Sequence, residues 1–299
     1  MSQGSLYDRD LPEVSQLLNL YSEAWDDYWH AQKDVPDEDG NTPRAHFRAS
    51  MLGRCMVAHL TWRAGVPSPR VIDEQSRQRM DAGNTYEDGV RIRLDRMGLL
   101  LGKQLALSDE DLDVTGTVDL MWGGEVQEVP WWWQTYRDPL WVDFVRFLRG
   151  KAAARTYPVT ITEVKTVGGY GFRNSPKDGR WDHQLQLAVY DLLADRNGPD
   201  LPGPDPERYE ILLINRDNGA RRVIPLKDSY VMEAEDRLGQ LREAWTTGKW
   251  PPCTCSSNES FERLGWAEVK YCNYPNEDGD GCCHSSVLAL LEASVAESQ

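Results

Sequence analysis

Two short stretches of the sequence combine residue types that can perform hydrolytic chemistry. The first is Gly116-Thr117-Val118-Asp119, and the second is Glu163-Val164-Lys165. Side chains two residues apart on a β-strand point to the same side, so a strand would present the Glu163 carboxylate beside the Lys165 ammonium. Burying two such charges is unfavourable unless they are paired or have a chemical role. This spacing therefore predicts a reactive site at the end of a buried strand.

Two carboxylates and one amine suit the hydrolysis of a phosphodiester bond. Hard divalent cations such as Mg²⁺ prefer oxygen ligands, which Asp119 and Glu163 supply. Lys165 can orient the attacking water or stabilise the negative charge that develops in the reaction. The alternative is that Glu163 and Lys165 form an exposed ion pair with no catalytic role.

A helix predicted after these strands adds two polar side chains. Gln186 and Tyr190 are four residues apart, so they share one face of the helix. The Gly-x-x-Asp strand, the Glu-x-Lys strand and the Gln-x-x-x-Tyr helix together resemble the RecB-like branch of the PD-(D/E)XK nucleases. That branch includes exonucleases associated with CRISPR adaptation and their phage relatives. The resemblance implies that Gln186 and Tyr190 help to hold the catalytic site and the DNA; the alternative is ordinary helix packing around a buried amide.

A third acidic residue precedes both strands. The resembling family has a helix with a glycine followed by a metal-binding residue, commonly histidine, and here the corresponding stretch is Gly83-Asn84-Thr85-Tyr86-Glu87. The resemblance implies a metal-binding role for Glu87 together with Asp119 and Glu163. It also implies a requirement for Mg²⁺ or Mn²⁺, although a carboxylate in place of an imidazole changes the ligand set. The alternative is that Glu87 is a solvated helix residue.

Six cysteines form the second point of resemblance. The stretch Ser50-Met51-Leu52-Gly53-Arg54-Cys55 is similar to a helix whose cysteine joins three C-terminal cysteines around a [4Fe–4S] cluster in the same nucleases. Val269 stands where those relatives have one of the three, so another cysteine would have to replace it. The ligands implied are Cys55, Cys253, Cys272 and Cys282, with Cys255 and Cys283 as substitutes. A Zn²⁺ site and unligated thiols are the alternatives.

Aromatic and basic residues near these motifs are candidates for DNA contacts. An insert between the two acidic strands contains Trp132 within a run of three tryptophans, which could stack the bases of a single strand. The alternative is hydrophobic packing against the core or another subunit. Arg173, Lys177 and Arg180 lie in a glycine-rich loop after the Glu-x-Lys strand and are predicted to grip DNA phosphates.

Charge and composition limit the class of protein. The net charge of −15 over 299 residues argues against a nucleic-acid coat protein, which is normally basic. It is compatible with an enzyme that meets DNA through a local basic patch and bound cations. The sequence has neither a signal peptide nor a long apolar run, so we expect a cytoplasmic protein (in the host cytoplasm if phage-encoded) without membrane contact.

The elements that must position the candidate residues follow from hydrophobic periodicity. Predicted helices cover residues 50–64, 72–97, 181–193 and 228–245, the third of them amphipathic; predicted strands cover 112–122, 159–167, 209–215 and 221–226. The turn Asp217-Asn218-Gly219 predicts that the last two strands form a hairpin. This order indicates an α/β fold with a mixed central sheet flanked by helices. The resemblance implies that this fold is the PD-(D/E)XK nuclease core.

The expected organisation has three parts. They are an N-terminal helical region (1–49), the nuclease core (50–250) and a cysteine-liganded lobe (251–299), which Cys55 completes and which joins the two ends of the chain. The resemblance implies an exonuclease acting on single-stranded DNA ends, 5′ to 3′, in recombination, repair or phage and CRISPR DNA processing, with a protein partner from such a pathway. A non-catalytic iron–sulfur binding module and a structure- or sequence-specific endonuclease are the alternatives, and the sequence leaves the oligomeric state open.

Overall fold

The fold contains the mixed sheet that the sequence predicts. The computed structural model of the protein describes residues 44–65, 74–125, 156–249 and 251. Within those ranges the sheet has six strands: β1 (Phe47–Arg48), β2 (Leu100–Asp109), β3 (Val114–Glu125), β4 (Thr156–Val167), β5 (Arg208–Asn215) and β6 (Arg221–Pro225).

Strand pairing gives the sheet its mixed character. β3 is antiparallel to β2 and to β4, while β1 runs parallel to the first residues of β3. β4 pairs in parallel with β5, and the register sets Glu163 opposite Ile211 and Lys165 opposite Leu213. β5 and β6 form the predicted hairpin, in which Gly219 has a φ of 71°. The candidate residues therefore lie on the inner strands β3 and β4.

Helices cover both faces of the sheet in the described part of the chain. They are α1 (Met56–Arg63), α2 (Glu74–Arg96), α3 (Gly169–Asn174), α4 (Trp181–Asn197) and α5 (Asp228–Thr247), with short 3-10 turns at Ala49–Met51 and Gly198–Asp200. The core on one face includes residues of α4 and α5. A smaller core on the other face includes residues of α2. No described helix is long and apolar enough to cross a lipid bilayer.

Strand β4 is buried on both sides, as expected for an inner strand between two helical layers. Ile161 belongs to the core under α4 and α5, whereas Val164 belongs to the core under α2. Because side chains alternate along a strand, Glu163 and Lys165 share the face of Ile161. The two charged residues are thereby directed toward α4.

The helix predicted over 50–64 is shorter in the structure. It begins at Met56, after a 3-10 turn and an irregular segment. A Cβ atom on Gly53 would stand 2.4 Å from the Cα of Asp182, so this segment lies directly against the start of α4. Contacts with α4 and α5 thus override the local helical periodicity.

The strand predicted over 112–122 was wrong in two respects. Leu112 precedes the strand, and Val118 and Leu120 pack into opposite cores instead of sharing a face. The sequence pattern also missed β2, whose residues are mostly half-buried or exposed. The prediction that helix α4 is amphipathic was also wrong, because all seven residues from Gln184 to Tyr190 are buried.

Candidate acidic site between strands β3 and β4

Asp119, Glu163 and Lys165 come together where strands β3 and β4 separate. The regular pairing of these strands ends at Leu120 and Thr162. Beyond that point the Asp119 carboxylate replaces a backbone partner, because its Oδ2 accepts the backbone N–H of Val164 at 2.8 Å. Lys165 Nζ donates to Glu163 Oε1 at 2.5 Å.

The Glu163 carboxylate is buried and only half satisfied. Glu163 is 2% exposed, and its Oε1 accepts hydrogen bonds from both Lys165 and the side-chain amide of Gln186, the latter at 2.8 Å. Its Oε2 is buried and has no hydrogen-bond partner among the described residues. A buried carboxylate oxygen without a partner is unfavourable, so this atom marks a position suited to a cation.

Gln186 and Tyr190 connect helix α4 to both strands. Gln186 Nε2 donates to Tyr190 Oη at 2.6 Å, and Tyr190 Oη donates to the carbonyl of Thr117 at 2.7 Å. A Cβ atom on Gly116 would stand 2.8 Å from the Tyr190 ring. The glycine of the Gly-x-x-Asp motif therefore makes room for the tyrosine of the Gln-x-x-x-Tyr motif, and the chain of bonds orients Glu163.

Glu87 reaches the same site from the helix on the opposite face of the sheet. Helix α2 passes close to the end of β4, because a Cβ on Gly83 would stand 3.1 Å from Thr166 Oγ1. Tyr86 fixes the helix by donating to the carbonyl of Arg216 at 2.8 Å. The half-buried Glu87 accepts a hydrogen bond at Oε1 from Gln104 Nε2 at 2.5 Å.

The site carries an excess of negative charge. Burial and, after it, the Glu163 charge raise the pKa of Asp119 to about 8, although the Lys165 ammonium opposes the shift. Burial also raises the pKa of Glu87. Burial alone would lower the pKa of Lys165, but the charges of Glu163 and Asp119 outweigh it and raise that pKa. Three carboxylates facing one ammonium form an environment that a divalent cation would neutralise.

The carboxylates are not arranged as a completed metal site. In the described part of the chain, no three His, Cys, Asp or Glu side chains are grouped to hold a metal ion. Lys165 engages one oxygen of Glu163, and the side-chain amide of Gln104 links Glu87 to Asp119, with its Nε2 3.4 Å from Asp119 Oδ1. The unpartnered Glu163 Oε2 and the charge excess nevertheless fit a hard divalent cation.

Gln104 was missed by sequence reasoning. It lies in β2 with a φ of 46°, which is the left-handed region, and it is exposed. No local pattern distinguishes this glutamine, since its contacts are to residues from α2 and β3.

The predicted basic loop contains the short helix α3. Arg173 and Lys177 are exposed, whereas Arg180 makes two hydrogen bonds to Asp182 at 3.0 and 2.7 Å. Arg222 anchors this segment by donating to the carbonyls of Ser175 and Phe172. Two of the three basic side chains predicted to contact DNA, those of Arg173 and Lys177, are therefore exposed.

The remaining predicted site residues are Cys55 and six residues that lie outside the described part of the chain. Cys55 is buried immediately before α1, where it is the N-cap residue. Five other predicted residues lie outside the described residues, namely Trp132, Cys253, Cys272, Cys282 and the substitute Cys255. Cys283, the second substitute, lies outside them too.

Comparisons with known proteins add little. No protein-family model matches the chain, and no curated protein matches it. Among solved structures the chain is similar to one titled "Crystal structure of SSO0001", with 14% sequence identity and a TM-score of 0.39. That match covers 85% of this chain and 94% of the other. Likeness of this size carries no argument about function, which rests on the residues of the site.

Proposed function

We propose that the protein is a metal-dependent DNA nuclease whose site is built on Asp119, Glu163 and Lys165. The observation that carries the proposal is the meeting of these three side chains at one place, with Glu87 linked to Asp119 through Gln104 and with Oε2 of Glu163 buried and without a hydrogen-bond partner among the described residues. Unpaired buried carboxylate oxygens are rare in stable proteins without a reason, and a cation is the simplest one here.

Each residue of the site has a distinct part in the proposed reaction. Glu87, Asp119 and Glu163 would hold Mg²⁺ or Mn²⁺, ions that prefer carboxylate oxygens. When bound, such a cation supplies Lewis-acid activation and neutralises charge at a phosphate. The side chain of Lys165 is 26% exposed, and its ammonium would stabilise the charge that develops at a phosphate oxygen.

Gln186 and Tyr190 would act through Glu163. Both are buried, at 6% and 1% exposure, so neither is open to a DNA strand. Their hydrogen bonds instead hold one oxygen of Glu163 and leave the other without a hydrogen-bond partner among the described residues. They are positioning residues in this proposal, a role comparable to that of the groups that orient metal ligands in other sites.

The proposal includes the finer expectations that the sequence resemblance carries. These are a PD-(D/E)XK core, exonuclease action on single-stranded ends, DNA contacts from Arg173 and Lys177, and a [4Fe–4S] cluster that includes Cys55. One contact supports the cluster: Arg237 in α5 donates to the carbonyls of Leu52 and Arg54. The helix that leads into the cysteine-rich tail is thus bonded to the segment that ends at Cys55.

The test uses the full-length protein purified without oxygen. End-labelled single strands, linear duplexes and closed circles are incubated with Mg²⁺, Mn²⁺ or EDTA. We expect cation-dependent release of nucleotides from linear single strands, and at least about a 100-fold loss in Lys165→Met and Asp119→Asn, as for removal of a group that stabilises developing charge. Lys227→Met is the matched control, because Lys227 forms an ion pair with Asp178 outside the site.

Several results would contradict parts of the proposal. Undiminished cleavage by Lys165→Met and Asp119→Asn would refute the assignment of the site. Absence of cleavage by the wild-type protein, combined with tight DNA binding, would favour a non-catalytic module. Cutting of closed circles into defined fragments would indicate an endonuclease. A colourless preparation without absorption at about 400 nm would refute the iron–sulfur cluster alone.

A further inference from the structure

Gln104 joins two carboxylates that come from different elements of the fold. Its side-chain amide donates to Glu87 Oε1 at 2.5 Å and lies 3.4 Å from Asp119 Oδ1. Glu87 belongs to α2 and Asp119 to β3, so no backbone hydrogen bond sets the separation of the two carboxylates. Gln104 is the described residue that contacts both.

The backbone of Gln104 is held in a conformation that non-glycine residues seldom adopt. Its φ of 46° occurs inside strand β2, where φ is normally near −140°. The pairing of β2 with β3 passes from Lys103–Leu120 to Leu105–Val118, so this conformation directs Gln104 toward the acidic site at the level of Asp119. Such conformations are unfavourable and tend to occur at functional sites.

Neither packing nor burial accounts for a glutamine at this position. The side chain is exposed, so it fills no space in either core. Glycine would adopt the same φ without strain. What glutamine adds is a donor long enough to reach both carboxylates.

We propose that Gln104 is a positioning residue that sets the Glu87 and Asp119 carboxylates for a divalent cation. The inference rests on the proposed metal-dependent function. Gln104 engages Oε1 of Glu87 and approaches Oδ1 of Asp119, while Val164 engages Oδ2 of Asp119, so the orientation of both carboxylates is fixed. Gln104 does not engage Oε2 of Glu87, and its contact with Asp119 is the longer of the two. Groups that orient metal ligands in this way typically contribute about 10- to 100-fold to metal affinity.

The experiment measures Mn²⁺ affinity by calorimetry and thermal stability in EDTA for two variants of the full chain. Gln104→Met keeps the length of the side chain and removes the donor. Gln104→Gly removes the donor and relieves the strained φ. We expect both to weaken Mn²⁺ binding by about 10-fold or more, while Gln104→Gly has a higher Tm than wild type.

A matched control is Gln240→Met. Gln240 is an exposed glutamine that donates to the Asp236 carboxylate at 2.7 Å in α5, outside the site. Its replacement should leave Mn²⁺ affinity unchanged. If Gln104 contributed to folding alone, Mn²⁺ affinity would fall only in a variant of Gln104 whose Tm also falls.

A double-mutant cycle tests whether Gln104 acts through Glu87. In a Glu87→Ala background, the change that Gln104→Met causes in the logarithm of Mn²⁺ affinity should be less than half the change that it causes when Glu87 is present. Unchanged or tighter Mn²⁺ binding by Gln104→Met would overturn the inference about Gln104. The proposed function would still stand in that case if the wild-type protein binds the cation and cleaves DNA. A wild-type protein that neither binds Mn²⁺ nor cleaves DNA overturns both.

Discussion

The guanidinium of Arg237 lies over the indole of Trp181, with Cζ 4.9 Å from the ring centre. Arg237 belongs to α5 and Trp181 is the first residue of α4, so the contact joins the two helices that pack on one face of the sheet. The same guanidinium donates to the carbonyls of Leu52 at 3.0 Å and Arg54 at 2.9 Å. One side chain thus ties three separate segments together.

Replacing Arg237 with lysine should destabilise the protein. A single ammonium cannot reproduce the planar stack and both carbonyl contacts. We expect Arg237→Lys to lower the free energy of unfolding by about 1–3 kcal/mol, measured by urea denaturation. Arg91→Lys, at a half-exposed pair with Asp88 on the surface of α2, should change it by less than about 0.5 kcal/mol. Equal effects of the two substitutions would contradict this role.

Gly116→Ala should damage both the fold and the site. The added methyl would stand 2.8 Å from the Tyr190 ring and 3.1 Å from the Cβ of Ala49, in a buried region. We expect a loss of about 1–3 kcal/mol in the free energy of unfolding and weaker DNA cleavage, because Tyr190 must shift. Gly239→Ala, in α5 with open space around it, should stabilise the protein by up to about 1 kcal/mol. A neutral Gly116→Ala would refute the close packing.

Comparison of two buried glutamines of α4, Gln186 and Gln184, distinguishes a role in the acidic site from a role in folding. Gln186 bonds to Glu163 and Tyr190, whereas Gln184 donates to the carbonyls of Asp178 and Pro225. Each Gln→Met substitution leaves buried groups unpaired and should lower stability by about 1–3 kcal/mol.

Gln186→Met should in addition lower DNA cleavage by about 10- to 100-fold at a temperature where both variants are folded. Gln184→Met should retain cleavage close to that of wild type. Initial rates on an end-labelled single strand measure the difference, and equal rates for the two variants would show that Gln186 has no part in the site.

His59 should make the protein sensitive to acid. Its Nε2 accepts the backbone N–H of Arg48 at 2.9 Å, and its Nδ1 is buried without a hydrogen-bond partner among the described residues. Burial, together with the charges of Arg237 and Arg63, lowers the pKa of His59 to about 3. The folded protein therefore keeps this imidazole neutral at pH values where the unfolded chain protonates it.

The sign of the pH dependence follows from the lowered pKa. The contribution of His59 to stability is present above pH 6.5, the ordinary pKa, and is lost as the pH falls toward 3. By pH 5 the loss should be on the order of 2 kcal/mol. When the pH is lowered from about 7.5 to about 5, the free energy of unfolding of His59→Gln should therefore fall by less than that of wild type, as measured by urea denaturation. Parallel losses in the two proteins would contradict a neutral buried imidazole.

Much of the fold could be predicted from local pattern. Helix α2 ends as expected near Gly98, which has a φ of 67°, and the β5–β6 hairpin turns at Gly219 as Asn218-Gly219 predicts. Helix α5 begins at Asp228 as predicted. Strand β2 was missed, because its half-exposed residues lack a clear alternation of apolar and polar types.

The sequence by itself determined the pairing of Glu163 with Lys165 on one face of β4, because a period of two depends only on residues within one strand. It likewise determined that Gln186 and Tyr190 share a face of α4. Tertiary structure alone decided which distant groups meet these side chains. The approach of Glu87, the contact of Gln104 with Glu87 and Asp119, and the need for glycine at position 116 all depend on how helices pack across the sheet. Local periodicity carries no information about such contacts.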